Sequence, residues 1–161
     1  MTGGAVISPC GRYRYKLWRR FGDGPDLTFV MLNPSTADVE QDDPTIRKCR
    51  GFAARMGYGG IIVVNLFALR ATSPDDLWAT PEDQREGPAN SGYLRASYRR
   101  ADVVLAWGAN GRRVRWLCSM VEQTAEGLAN KVIVLKRLAD GMPAHPLMLP
   151  YSCIAALKET P

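Results

Sequence analysis

Apolar and polar positions alternate early in the chain, where Tyr13, Tyr15 and Leu17 interleave with Arg12, Arg14 and Lys16. A two-residue period is that of a strand with one face against a core. The turn signal Gly22-Asp23-Gly24-Pro25 follows, then the run Leu27-Thr28-Phe29-Val30-Met31-Leu32, so the two segments read as a hairpin at one edge of a sheet. The period then changes. Asp43 is able to cap a helix with Pro44 at its first position, and Ile46, Cys49, Phe52, Ala53 and Met56 recur at helical spacing until Gly57, Gly59 and Gly60 end it. Three short runs, Ile61–Leu66, Val103–Trp107 and Val132–Leu135, are rich in β-branched residues and apolar on both faces. Parallel strands covered on both sides have this appearance. Helical segments at about 90–100 and 111–126 separate the runs, and alternating strands and helices predict an α/β sandwich with a mainly parallel central sheet.

Composition narrows the class without changing that picture. The chain has 161 residues, 46% hydrophobic and 23% charged, and no repeat or linker divides it, so residues 1–161 read as a single domain. Cys10, Cys49, Cys118 and Cys153 stand far apart with no close pair, which argues against a zinc ribbon, an iron–sulfur cluster or a redox disulfide. Free thiols, no membrane-length apolar run and no signal-peptide pattern at the N-terminus point to a cytoplasmic protein. The net charge of +5 is uneven: residues 1–94 hold 11 basic and 11 acidic side chains, residues 95–161 hold 10 and 5. An anionic partner is compatible with this distribution but is not required by it.

In open α/β sheets ligands bind beyond the carboxyl ends of the strands, so the loops there are the places to look for chemistry. The first core strand runs into Leu32-Asn33-Pro34-Ser35-Thr36, the second ends in Asn65, and the third runs into Trp107-Gly108-Ala109-Asn110-Gly111. The fourth is followed by Ala144-His145-Pro146-Leu147, which holds the only histidine. Each has a plainer reading. Asn33 to Thr36 also suits a turn and helix cap, Asn65 also suits satisfying loop backbone, and the Gly108 turn also suits an ordinary strand-to-helix link. Arg112, Arg113 and Arg115 follow that turn and would serve an anion beside it.

The segments MLNPSTADVEQDDPTIRKC, VVNLFALRAT, WGANG and GMPAHPLMLP resemble the bacterial and phage family catalogued as domain of unknown function 1643, over roughly residues 12–150. The order of the four loops also resembles, more distantly, the uracil-DNA glycosylase superfamily. That second resemblance implies a three-layer α/β sandwich of glycosylase-like fold. It implies that Asn33 and His145 are catalytic, Asn33 holding a water and His145 donating to the departing base as neutral imidazole. Pro34, Ser35, Asn65, Trp107, Gly108, Asn110 and Leu147 would bind substrate, with Asn65 reading a base edge and Leu147, Met148 and Leu149 supplying an apolar wedge. Cleavage of an N-glycosidic bond needs such groups, because charge builds on both the sugar and the leaving base.

The chain departs from the superfamily in lacking a glycine before Asn33 and a serine after Pro146, and in carrying Asp38, Glu40, Asp42 and Asp43 directly after the first loop. Those acids would repel duplex phosphates. The expectation is therefore a protein that binds a nucleobase, nucleotide or single-stranded nucleic acid, with no cofactor and no membrane partner. Two alternatives stand beside it. One is a binder of a modified base or nucleotide without catalysis. The other is a metal-dependent phosphohydrolase using Asp38, Asp42 and Asp43, although the spacing is not that of an EF-hand, since Asp43 and Cys49 occupy the positions of its glycine and glutamate.

Overall fold

The computed structural model describes residues 1–35 and 41–157. Six strands form one mixed sheet: β1 (Thr2–Ile7), β2 (Arg14–Arg20), β3 (Asp26–Met31), β4 (Gly60–Asn65), β5 (Asp102–Leu105) and β6 (Lys131–Ile133). Their order is β1-β2-β4-β3-β5-β6. The four strands from β4 to β6 in that order are parallel, whereas β2 runs antiparallel to both β1 and β4. Among the described residues five α-helices connect or flank them: α1 (Pro44–Arg55), α2 (Pro74–Ala79), α3 (Asn90–Tyr98), α4 (Arg115–Leu128) and α5 (Ile154–Leu157). None is long and apolar enough to cross a membrane.

The expected hairpin between β2 and β3 does not form. β3 lies between β4 and β5 at the centre of the sheet, and β2 pairs instead with β1, a strand not foreseen from Thr2-Gly3-Gly4-Ala5. The physical reason lies in β3 itself. Leu27, Phe29 and Met31 join one apolar cluster with Phe52 of α1, while Val30 joins a second with Tyr98 of α3 and Val121 of α4. A strand buried on both faces belongs inside a sheet, and an edge would leave its backbone groups open. Thr28, the polar residue in the run, is satisfied by donating its hydroxyl to the carbonyl of Ser97 at 3.2 Å.

The clusters lie on opposite faces of the sheet because adjacent strand residues point in opposite directions. Ile61 and Val63 of β4 face the α1 side, and Val64 faces α3 and α4. Cys49 and Cys118 are buried in different clusters. α1 begins as the sequence predicts, with Asp43 Oδ1 accepting from the backbone N–H of Ile46 at 2.8 Å. Beside it, Asp42 bridges two cations: one carboxylate oxygen meets Arg19 Nε and the other Arg50 Nη1, both at 2.7 Å. This fixes the start of α1 to strand β2.

Candidate functional site

Asn65 is the last residue of β4, in register with Met31 at the end of β3. Counting along β4 by twos puts its side chain on the face of Ile61 and Val63, toward α1. There the strand ends, the first turn of α1 and the loop at 71–74 enclose a cavity of about 140 Å³. Asn33, Ser35, Asn65 and His145 all line it. So do Arg14, Asp43, Thr45 and Ser73. The volume is below the roughly 300–1,000 Å³ of sites for drug-sized ligands and suits a fragment the size of one base or a small anion.

Asn65 is 1% exposed, and its Nδ2 is buried without a hydrogen-bond partner. An unmet buried donor costs about 1–3 kcal/mol, so this amide is poised to meet an acceptor from a ligand. Its backbone is held by Asn90, whose Nδ2 donates to the carbonyls of Asn65 and Leu66 at 2.9 and 3.1 Å. Asn33 is more committed. Its Nδ2 donates to the carbonyls of Pro34 and Ala71 at 3.1 and 3.2 Å, clasping two loops together and leaving Oδ1 for water or ligand. Pro34 is buried, and its carbonyl also accepts from the Ala71 N–H at 3.1 Å. Ser35 donates its hydroxyl to Asp43 Oδ2.

His145 caps a 3₁₀ turn at Pro146–Met148, with Nδ1 accepting from the Leu147 N–H at 3.3 Å. The other ring nitrogen, Nε2, then carries the proton of the neutral ring. Burial holds the imidazole below its ordinary pKa, opposed by the nearby Asp43 carboxylate, which favours the neutral donor form. Gly108 supports it from behind. A Cβ at Gly108 would lie 3.1 Å from the Cβ of His145, and φ there is +78°, so a side chain would be both crowded and strained.

Arg14 is the residue that sequence reasoning missed. An alternating pattern placed it on the solvent side of its strand, yet it is 2% exposed and lines the cavity. The register of β1 and β2 shifts between Val6 and Ile7, opposite the start of β2, and such an irregularity re-aims side chains. Burial lowers its guanidinium to about 10, the Asp43 carboxylate opposing that shift, so the group stays charged at neutral pH. The wall thus combines a buried cation, a capping carboxylate, two carboxamides and a neutral imidazole.

The remaining sequence candidates lie elsewhere. Trp107 is buried in the cluster beneath α4, with Gly111 packed against its ring, and does not line the cavity. Asn110 and Leu147 are exposed outside the lining. Met148 is also exposed, whereas Leu149 belongs to the core and is not available as a wedge. Arg112 and Arg115 pair with Asp140 at 3.2 and 3.7 Å, and Arg113 stacks over Trp78 at 4.5 Å from its centroid, so none of the three reaches the cavity wall.

Asp38 and Glu40 lie outside the described residues. Of the other acids proposed for a metal, Asp42 has each carboxylate oxygen against an arginine, and Asp43 is engaged by Ser35 and Ile46. Among the described residues no three His, Cys, Asp or Glu side chains gather to hold a metal ion.

No curated protein and no solved structure matches the chain. The family described as Protein of unknown function (DUF1643) matches residues 14–147, a span that opens on Arg14 and includes His145. By that match, which takes in every residue lining the strand-end cavity, the chain belongs to this family.

Proposed function

We propose that the strand-end cavity binds a nucleobase or the base of a nucleotide, and that His145 assists cleavage at its N-glycosidic bond. The observation that carries this reading is the buried, unpartnered Nδ2 of Asn65, a residue that lines the same small cavity as His145, whose neutral ring keeps its proton on Nε2. Both are donors, and ring carbonyl oxygens of a base are the matching acceptors. A donor aimed at a base oxygen stabilises the negative charge that develops as the bond to the sugar breaks. The likeness of the loop order to the uracil-DNA glycosylase superfamily supports the same assignment, and with it a glycosylase-like layered fold.

Asn33 favours a second reading, a binder without catalysis. Its Nδ2 clasps the carbonyls of Pro34 and Ala71, a role in shaping the cavity that binding alone requires.

Both readings require binding, so the test starts there. Bases, nucleosides and nucleotides are screened for a rise in melting temperature, since a ligand of the folded state alone must stabilise it. The ligands found are then offered as nucleosides or in oligonucleotides, and base release is measured. On the catalytic reading His145→Ala lowers turnover about 10²-fold or more at nearly constant affinity, while Asn65→Ala weakens binding itself. Binding without release by the parent protein selects the second reading. No stabilisation by any base-bearing compound refutes both.

A further inference from the structure

We propose that the outer face of α4, with the arginines at its start, is a docking surface for single-stranded nucleic acid. Trp116 and Met120 are 60% and 56% exposed. Four residues apart on one helix, they adjoin and present a continuous apolar strip to solvent. An exposed indole is uncommon on a helix with no partner, and it offers the flat face on which unpaired bases stack. Arg112 and Arg113 lie in the preceding turn, Arg115 opens the helix, all three are exposed, and among the described residues Asp140 is the only carboxylate paired to them. Three guanidinium groups against one carboxylate leave the head of the strip cationic.

The strip belongs to the same end of the molecule as the cavity. The turn leading to α4 starts at Gly108, which touches His145, and Arg115 Nη1 donates to the carbonyl of Asp140 in the loop that runs on to His145. The exposed side chains of Leu147 and Met148 follow that histidine directly. A second copy of this chain is a poorer occupant. A two-fold contact would cover the indole but supplies no row of anions for three exposed guanidinium groups. A strand of nucleic acid supplies what both halves of the patch lack, bases for the indole and phosphates for the arginines. The choice of nucleic acid among polyanions rests on the reading of the cavity as a base site, while the surface itself does not.

The experiment uses the full chain and a fluorescein-labelled oligothymidylate of about 12 nucleotides, a length within the usual range of single-strand sites. Anisotropy should rise with protein, and affinity should fall linearly on logarithmic axes as salt is added. Indole emission should be quenched on binding, and Trp116→Phe should bind nearly as the parent does. Trp116→Ala should weaken binding about 10-fold at an unchanged melting temperature, since the side chain is exposed. Replacing Arg112 and Arg115 by glutamine should reduce the salt slope by about 1.4, or 0.7 for each lost phosphate contact. Trp116→Ala should keep any effect of free bases on melting, since Trp116 does not line the cavity, and this separates the surface from the cavity. Equal binding by parent and Trp116→Ala would reduce the interaction to unspecific charge and overturn the proposal. So would no binding at low salt, or a parent dimer that Trp116→Ala converts to monomer. Oligonucleotide binding that depends on Trp116, with no base bound in the cavity, would leave the surface standing and remove the base-site reading.

Discussion

Two buried amides at the end of β4 have opposite relations to stability. Asn90 Nδ2 satisfies the carbonyls of Asn65 and Leu66, so Asn90→Ala strips both of a donor and should cost about 2–3 kcal/mol in urea unfolding. Asn65→Ala removes a buried donor that has no partner, which offsets the lost packing, and should change stability by under about 1 kcal/mol. A residue whose removal costs little stability but abolishes binding is one kept for function. His145 gives a second test at this scale. Its folded pKa lies below the ordinary 6.5, so between the two values the unfolded chain binds more protons and stability rises with pH. This contribution is complete above the unfolded value and is lost as pH falls through that window. His145 is the only histidine, and His145→Asn keeps an acceptor for the Leu147 N–H. Unfolding midpoints compared at about pH 8 and about pH 5 should therefore drop less in the variant than in the parent.

Among elements, the start of α1 matters most to the cavity, because Asp43, Thr45 and Ile46 all line it. Asp42 secures that start through Arg19 and Arg50, and Arg19 is almost wholly buried. Asp42→Ala would remove the carboxylate that joins Arg19 to Arg50, and unfolding should be easier by about 3–5 kcal/mol. Asp43→Ala removes both a cap and the carboxylate that offsets the burial of Arg14, so it should cost more than the about 1 kcal/mol of a cap alone, which denaturant titration measures. The sequence makes this helix legible because capping and apolar spacing are both local. The strands β3 to β6 are legible for the same reason, as are α3 and α4 to within a few residues at their ends. α2 went unread although Ser73-Pro74-Asp75-Asp76 carries a capping box and a proline at the first turn, signals that would have found it. The pairing of β2 was not legible. Alternation marks a half-buried strand but not its neighbours, and consecutive strands are adjacent only about two-thirds of the time. Arg14 was hidden for a related reason: its burial depends on a register shift against β1 and on the loops above it. Asn33, Asn65 and His145 were legible as one site only through the rule that strand ends share a cleft.

At the scale of the whole molecule, a single sheet separates two apolar clusters, and both depend on β3. The cavity lies at the carboxyl ends of β3 and β4, where the chain order changes direction: β4 lies on one side of β3 and β5 on the other. The C-terminal part crosses back to close it, as Ala144 and Leu149 enter the cluster of α1 and the turn at Pro146–Met148 packs on that helix.

The lining of the cavity is drawn from β2, from the ends of β3 and β4, from α1 and from the turn after β6, so no short stretch of chain makes it. A molecule bound there joins segments that are distant in sequence. It cannot remain bound if any of them detaches, and so it penalises every partial opening alike. Amide hydrogen exchange should record this as slowing spread across β2, β4 and the segment around His145, by a common factor of 1 + [L]/Kd, where these openings release the ligand. Slowing confined to one of them would mean that the ligand rests on a single wall.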